Sequence, residues 1–294
     1  MTETGLLDAL RSLHRPRGGR SLAMAIGEWR LVLDGLDDTL ADALERRWEG
    51  FVGPARGGAP ARHLCVVRGK ESLWLPHWQP FERYRIEGTL EDGTPFARSY
   101  HFALAPDGEG GAWRFALADE PDEPVERIVE NVARYMVARM AGEAGGFALH
   151  GAGVLREGRA YVFAGPSLSG KSTAVALSAP SRSLGDDFAV LLPGGAGWRT
   201  PALPFDSSEK APPKPREELF PVAGIWRLYQ AAEARLELVS PTLAAASLMG
   251  CAAFPWAMPD LSETVLEHVR RYVEGGVFAH LHFRKAPDFW DLLE

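Results

Sequence analysis

From Leu22 to about Leu117 apolar and polar residues alternate in short runs divided by turn signals, the period-two signature of half-buried strands. Glu28-Trp-Arg-Leu-Val-Leu33, Leu64-Cys-Val-Val67 and Tyr84-Arg-Ile-Glu-Gly88 are such runs. Glu91-Asp-Gly-Thr94 sets an Asp-Gly pair ahead of the run Phe96 to Leu104. Both residue types accept positive φ, so a hairpin is expected there. The pattern predicts an antiparallel sheet over residues 21–120, with a helix at Asp38 to Trp48, and points to no function for it. Residues 1–20, basic and Gly-rich at Arg15-Pro-Arg-Gly-Gly-Arg20, read as a mobile lead-in.

Beyond Pro121-Asp-Glu-Pro124 the period changes. Val125, Ile128, Val129, Val132, Met136 and Met140 recur at helical spacing, which reads as a core-facing stripe ended by Gly142 and Gly145-Gly146. A second domain is therefore drawn over 121–294. Its first part reads as a strand Phe147 to Val154, a turn Arg156-Glu-Gly-Arg159 and a buried strand Ala160 to Ala164. A Gly-rich loop, an Ala-rich helix from Ser172 and a strand Phe188 to Leu192 follow. Thr200 to Phe205 and Ala211 to Pro215 read as loops. Further strands are expected at Val222–Tyr229, Leu236–Val239 and Val277–Phe283, and helices at Pro241–Cys251 and Ser262–Tyr272. The fold class is α/β in the α+β sense, a domain of strands and helices preceded by a β-rich one.

Composition narrows the partners. The 294 residues are 46% hydrophobic and 24% charged, with a net charge of −7, and arginines are interspersed with acids. That balance argues against nucleic acid, which needs a concentrated basic surface. Cys65 and Cys251 stand far apart without a metal-ligand spacing and read as buried small hydrophobes. No signal peptide or membrane-length apolar stretch is recognisable, so a cytoplasmic location without a membrane partner is expected.

The chemistry concentrates after residue 147. Gly165-Pro-Ser-Leu-Ser-Gly-Lys171-Ser172 fits G-x-x-x-x-G-K-[ST], and it lies between an expected strand and an expected helix. Glycines let such a loop curl so that backbone N–H groups converge on phosphate oxygens. Gly165, Pro166, Ser167, Leu168, Ser169, Gly170, Lys171, Ser172 and Thr173 are accordingly the expected nucleotide-binding residues. Lys171 would reach the β- and γ-phosphates and Ser172 would ligate Mg²⁺. ATP and Mg²⁺ are the expected cofactors. Asp186-Asp187 follows directly before a strand, and such a pair can divide two tasks, Asp186 supporting the metal and Asp187 accepting a hydroxyl proton. His150 stands alone in an apolar segment, where a histidine is more often a satisfied core residue than a catalyst.

His150-Gly-Ala-Gly-Val, the loop through Thr173 and Leu184-Gly-Asp-Asp187 together resemble the catalytic domain of HPr kinase/phosphorylase. They are closer still to the HPr-kinase-like proteins of bacteria, some encoded beside ribosomal-peptide maturation enzymes. Ile225-Trp-Arg-Leu-Tyr229 through Leu243 and the tail Leu281 to Leu293 are similar to the same relatives. The resemblance covers roughly residues 125–294. It implies a fold akin to phosphoenolpyruvate carboxykinase, a mixed sheet with the phosphate loop at its edge, and transfer of a phosphoryl group from ATP to a serine hydroxyl. It also implies that His150 lies close to the paired acids and joins Lys171, Asp186 and Asp187 as a catalytic residue. Leu168 departs from the family, which usually has Gly there, so the loop tip is bulkier and less permissive to positive φ. The family's Gly-rich signature with a metal-linked acid has no clear counterpart between Phe188 and Pro241, Glu209 being its nearest stand-in.

Three functions follow. One is an ATP-dependent serine kinase acting on a peptide or protein hydroxyl. Another is an ATP-binding partner or presentation protein without phosphotransfer, and the third is a phosphotransferase for a small metabolite. No HRD or DFG pattern is present, which excludes a eukaryotic-type protein kinase.

Overall fold

The computed structural model describes residues 4–14, 18–53, 60–76, 85–108, 111–195, 197–205 and 218–293. The chain forms two compact units, Met1–Ala133 with Phe254–Ser262, and Arg134–Ala253 with Glu263–Glu294. Both are α+β with a mixed sheet.

In the first unit a helix, α1 (Thr4–Arg11), precedes β1 (Arg20–Ile26) and β2 (Trp29–Leu36). Then come α2 (Asp38–Arg47), β3 (Val52–Gly53), β4 (Ala61–Arg68), β5 (Glu87–Glu91), β6 (Thr94–Arg98), β7 (Phe102–Pro106) and β8 (Trp113–Leu117). The strands lie in the order β3-β1-β2-β4-β8-β7-β6-β5. The sheet is mixed, not antiparallel as the alternation suggested: β2 pairs with β4 in parallel, and β4 with β8. The helix α2, capped by the Asp37 carboxylate on the Leu40 amide, lies in the β2–β4 connection and allows the parallel pairing. The Asp-Gly turn forms as expected, with Asp92 at φ 51° and Gly93 at φ 74° joining β5 to β6. The run Phe96 to Leu104 divides into two strands at a turn closed by the Ser99 amide on the Phe102 carbonyl, 2.8 Å.

Part of the expected mobile lead-in is ordered helix. Leu7 and Leu10 of α1 are buried with Val67, Phe96 and Ala116. Charged groups distant in sequence satisfy its ends. The Leu7 amide donates to Glu91 Oε2 at 2.8 Å, and Arg114 Nη1 donates to the carbonyls of Arg11 and, at 2.8 Å, of Leu13. Arg114 Nη2 lies 2.7 Å from Asp107 Oδ1. No local sequence signal announces caps brought in from so far along the chain.

Helix α3 (Val125–Glu143) buries Ile128, Val129, Val132, Met136 and Met140, the stripe read from the sequence. The division between the units falls within it. It runs past Gly142 and ends as Gly145 turns to φ 85°.

The second unit continues with β9 (Phe147–Leu149), β10 (Gly151–Arg156), β11 (Arg159–Ala164), α4 (Lys171–Leu177), β12 (Arg182–Gly185), β13 (Ala189–Gly194) and β14 (Gly197–Pro201). It closes with β15 (Leu219–Gln230), β16 (Arg235–Glu237), α5 (Pro241–Met249), α6 (Ser262–Gly275) and β17 (Phe278–Phe283). The strand order is β12-β10-β11-β15-β14-β13-β9, with β17 beside β15 and β16 beside β17. β11, β15 and β17 run parallel, so their C-terminal ends share one edge of the unit. One face of these strands carries a core of Phe163, Trp226, Leu281, Phe283, Phe289 and Trp290.

The expected strand Phe147 to Val154 is two strands: β9 pairs with β13, whereas β10 pairs with β11 and β12. Residues Thr200 and Pro201, read as loop, complete β14. Ala211–Pro215 and Glu209 lie outside the described residues. Cys251 is buried and Cys65 half-buried, and both are free thiols. Among the described residues no helix is long and apolar enough to cross a membrane.

Candidate functional site

The Gly165–Ser172 loop leaves the C-terminal end of β11 and enters α4. Its first residue is fixed by the Gly165 amide donating to the His150 carbonyl, 3.1 Å. The Ser169 amide donates to the Pro166 carbonyl at 3.2 Å, and Gln230 Nε2 at the end of β15 donates to the Leu168 carbonyl at 2.8 Å. Leu168 sits at φ 67° and is 93% exposed. The loop therefore takes the left-handed conformation here without the glycine that favours it.

Two glycines are dictated by close approach. Gly170, at φ 103°, is the N-cap of α4, and a Cβ there would lie 2.6 Å from Phe283 Cζ. A Cβ on Gly165 would lie 2.5 Å from Ser169 Oγ. That hydroxyl is buried with no hydrogen-bond partner, an orphaned polar atom inside the loop.

Lys171 is 7% exposed, and its ammonium folds back over the loop. Nζ donates to the carbonyls of Gly165 at 3.0 Å and Pro166 at 3.1 Å, and lies 3.8 Å from Asp187 Oδ1. The other carboxylate oxygen, Asp187 Oδ2, accepts from Arg134 Nη1 at 3.2 Å. The Asp187 carbonyl accepts from the Gly151 amide, which ties the acid to the start of β10. Asp186 beside it is half-buried; Ser167 and Ser172 are exposed and Thr173 half-buried.

His150 occupies the break between β9 and β10. Its amide donates to the Cys251 carbonyl at 2.8 Å, and its own carbonyl holds Gly165. The residue is solvent-accessible, yet burial among protein atoms lowers its pKa, opposed by the Asp187 charge and reinforced by Lys171 and Arg134. The lowered pKa keeps the imidazole in its neutral form near pH 7.

The structure thus brings together Lys171, Asp187 and His150 of the residues singled out in the sequence. It adds Arg134 of α3, whose guanidinium also lies 5.6 Å from the Phe205 ring centre. Its only sequence signal is a charge within the otherwise buried run Val132 to Ala138. Among the described residues no group of three or more His, Cys, Asp or Glu side chains could hold a metal ion.

A family model described as SynChlorMet cassette protein ScmC matches residues 116–276. The match takes in all of α3, the Gly165–Ser172 loop, Asp186, Asp187 and α6, and stops short of β17. No curated protein matches the chain.

Proposed function

The chain belongs to the ScmC family, whose model matches more than half of it, and on that premise we propose that it is an ATP-dependent kinase acting on a serine hydroxyl of a peptide or protein. The family's description names no reaction. The reading is carried by one observation: a loop of G-x-x-x-x-G-K-S sequence whose buried lysine faces an acid on the neighbouring strand edge, Nζ to Asp187 Oδ1 3.8 Å. The resemblance to HPr kinase, with its carboxykinase-like fold, is part of the same proposal.

The residues fit a nucleotide. Gly165 and Gly170 keep the loop narrow, and the Ser169 hydroxyl is left for a ligand oxygen. The absence of a three-ligand cluster among the described residues also agrees with Mg²⁺ arriving on a nucleotide, because that ion keeps waters and phosphate oxygens and needs only one or two protein ligands. Ser172 and Asp186 would hold it. Bound Mg·ATP would supply the transferable γ-phosphoryl group and the cation that offsets its charge.

The chain's own residues do the rest. Lys171 exchanges the Gly165 and Pro166 carbonyls for phosphate oxygens, trading two neutral acceptors for charged ones. Arg134 orients Asp187, which takes the acceptor hydroxyl's proton. His150, neutral and accessible, stands within the electrostatic reach of Asp187 and tunes that acid. The test is transfer of labelled γ-phosphate to peptides and to the protein itself. Wild type should transfer label, Asp187→Asn should bind Mg·ATP without transferring it, and equal transfer by both would refute Asp187 as the base.

A second reading is an ATP-binding partner protein without phosphotransfer. The contacts of Asp187 favour it, because one oxygen is bonded to Arg134 and the other faces Lys171. Under that reading Asp187→Asn leaves both binding and partner engagement intact.

A further inference from the structure

The strands next to the Gly165 loop have two chemically different faces. Trp226 and Leu228 of β15, with Ala279, Leu281 and Phe283 of β17, build the aromatic core. Strand alternation places Arg227, Tyr229, His280 and His282 on the opposite face. Most polar groups there are matched. Ser247 of α5 lies 3.0 Å from His280 Nε2, and His282 Nε2 lies 2.8 Å from Glu237 Oε2. Tyr229 stacks on His282 with ring centres 5.1 Å apart.

Arg227 is different. Its guanidinium lies 5.3 Å from the Tyr229 ring centre, and its Nε is buried with no hydrogen-bond partner. Among the described residues no carboxylate forms an ion pair with it. Arg227 is half-buried, and a buried Nε–H without an acceptor is costly, a cost that an arriving oxyanion would recover. The location fits an arriving anion. Arg227 is paired in register with Ala164, the residue before Gly165. Both Arg227 and Lys171 exert their charge on the Cys251 thiol, and the Cys251 carbonyl holds the His150 amide.

We infer that Arg227 is an oxyanion-binding residue beside the Gly165 loop, offering its unpartnered Nε edge to a phosphate or carboxylate group. The planar fork suits two oxygens of one anion, and the Tyr229 ring holds the guanidinium plane in place. The inference rests on the nucleotide reading of the loop only for the source of the oxyanion, which is either the nucleotide's phosphates or an anionic group on the acceptor.

Calorimetry on the full chain separates these sources with three probes: inorganic pyrophosphate, Mg·ATP, and inorganic phosphate added to protein saturated with Mg·ADP. Arg227→Met should weaken at least one arm by about tenfold or more, and Arg227→Lys, which keeps the charge but loses the fork, by less. A loss with pyrophosphate and Mg·ATP assigns Arg227 to the nucleotide; a loss confined to phosphate on the Mg·ADP complex assigns it to the acceptor. Arg227-dependent pyrophosphate binding by a wild type that ignores Mg·ATP upholds this inference while the nucleotide reading fails. Wild-type affinities for Arg227→Met in every arm, or no binding of any probe to wild type, overturn it. Should Arg227→Met not fold, undiminished binding by Arg227→Lys in every arm overturns it equally.

Discussion

Replacing Gly170 by alanine strikes the loop where two constraints coincide. The residue sits at φ 103°, outside the left-handed basin that side chains tolerate, which costs about 1–3 kcal/mol. The new methyl would also stand 2.6 Å from Phe283 Cζ and 3.1 Å from Cε1. Phe283 has little room to retreat, being 3% exposed and edge-on to Phe289 at 5.8 Å. Overpacking of this kind costs about a further 1–3 kcal/mol. Gly170→Ala should therefore destabilise the loop and α4 by about 2–6 kcal/mol, a roughly 30-fold or greater rise in local opening. Hydrogen exchange reads this directly in α4, where the Ala174 amide donates to the Gly170 carbonyl at 2.8 Å. A cycle with Phe283→Leu separates the two causes. The double variant should recover about 1–3 kcal/mol, the steric share, and leave the backbone share in place. Unchanged exchange in Gly170→Ala, or strict additivity with Phe283→Leu, refutes the reasoning.

Three further outcomes follow from other contacts. Leu168→Gly should be more stable than Leu168→Ala by about 0.5–1 kcal/mol in urea unfolding, because both delete an exposed side chain but only glycine relieves φ 67°; the reverse order contradicts the strain. In an NMR titration, Lys171→Met should raise the His150 pKa, because it removes a cation that disfavours imidazolium while the larger effect of burial stays in place. Asp187→Asn should lower it further by removing the anion that favours imidazolium, and opposite signs would exclude the arrangement described. Arg114→Met should cost about 3–5 kcal/mol, since it strips the Asp107 carboxylate, 5% exposed, of its cation and uncaps α1. Unaltered amide exchange over residues 4–14 would show that α1 does not depend on that cap.

The sequence made the local features legible and concealed those assembled from a distance. The Asp92-Gly93 turn, the α3 stripe and the Gly165–Ser172 loop are each encoded in one short continuous stretch, and each forms where expected. The parallel pairings of β4 in the first unit are set by a crossover and a returning meander, which alternation cannot specify. Helix α1 looked like a tail because its caps, Glu91 and Arg114, lie some 80 to 100 residues away. His150 looked like one more residue of a continuous strand. Its main chain instead bonds to Cys251 and Gly165, interrupting the strand. Arg134 and Arg227 were hidden for the opposite reason: a lone arginine in a helix or strand reads as a solvated surface charge until its neighbours are known.

The central claim is that the Gly165–Ser172 loop binds a nucleoside triphosphate, and equilibrium binding of Mg·ATP to wild type and Lys171→Ala tests it most directly. Wild type should bind, and Lys171→Ala should bind at least about tenfold more weakly, because the variant loses the ammonium seated over the loop. No measurable binding by wild type, or equal affinity in the two proteins, would contradict the account.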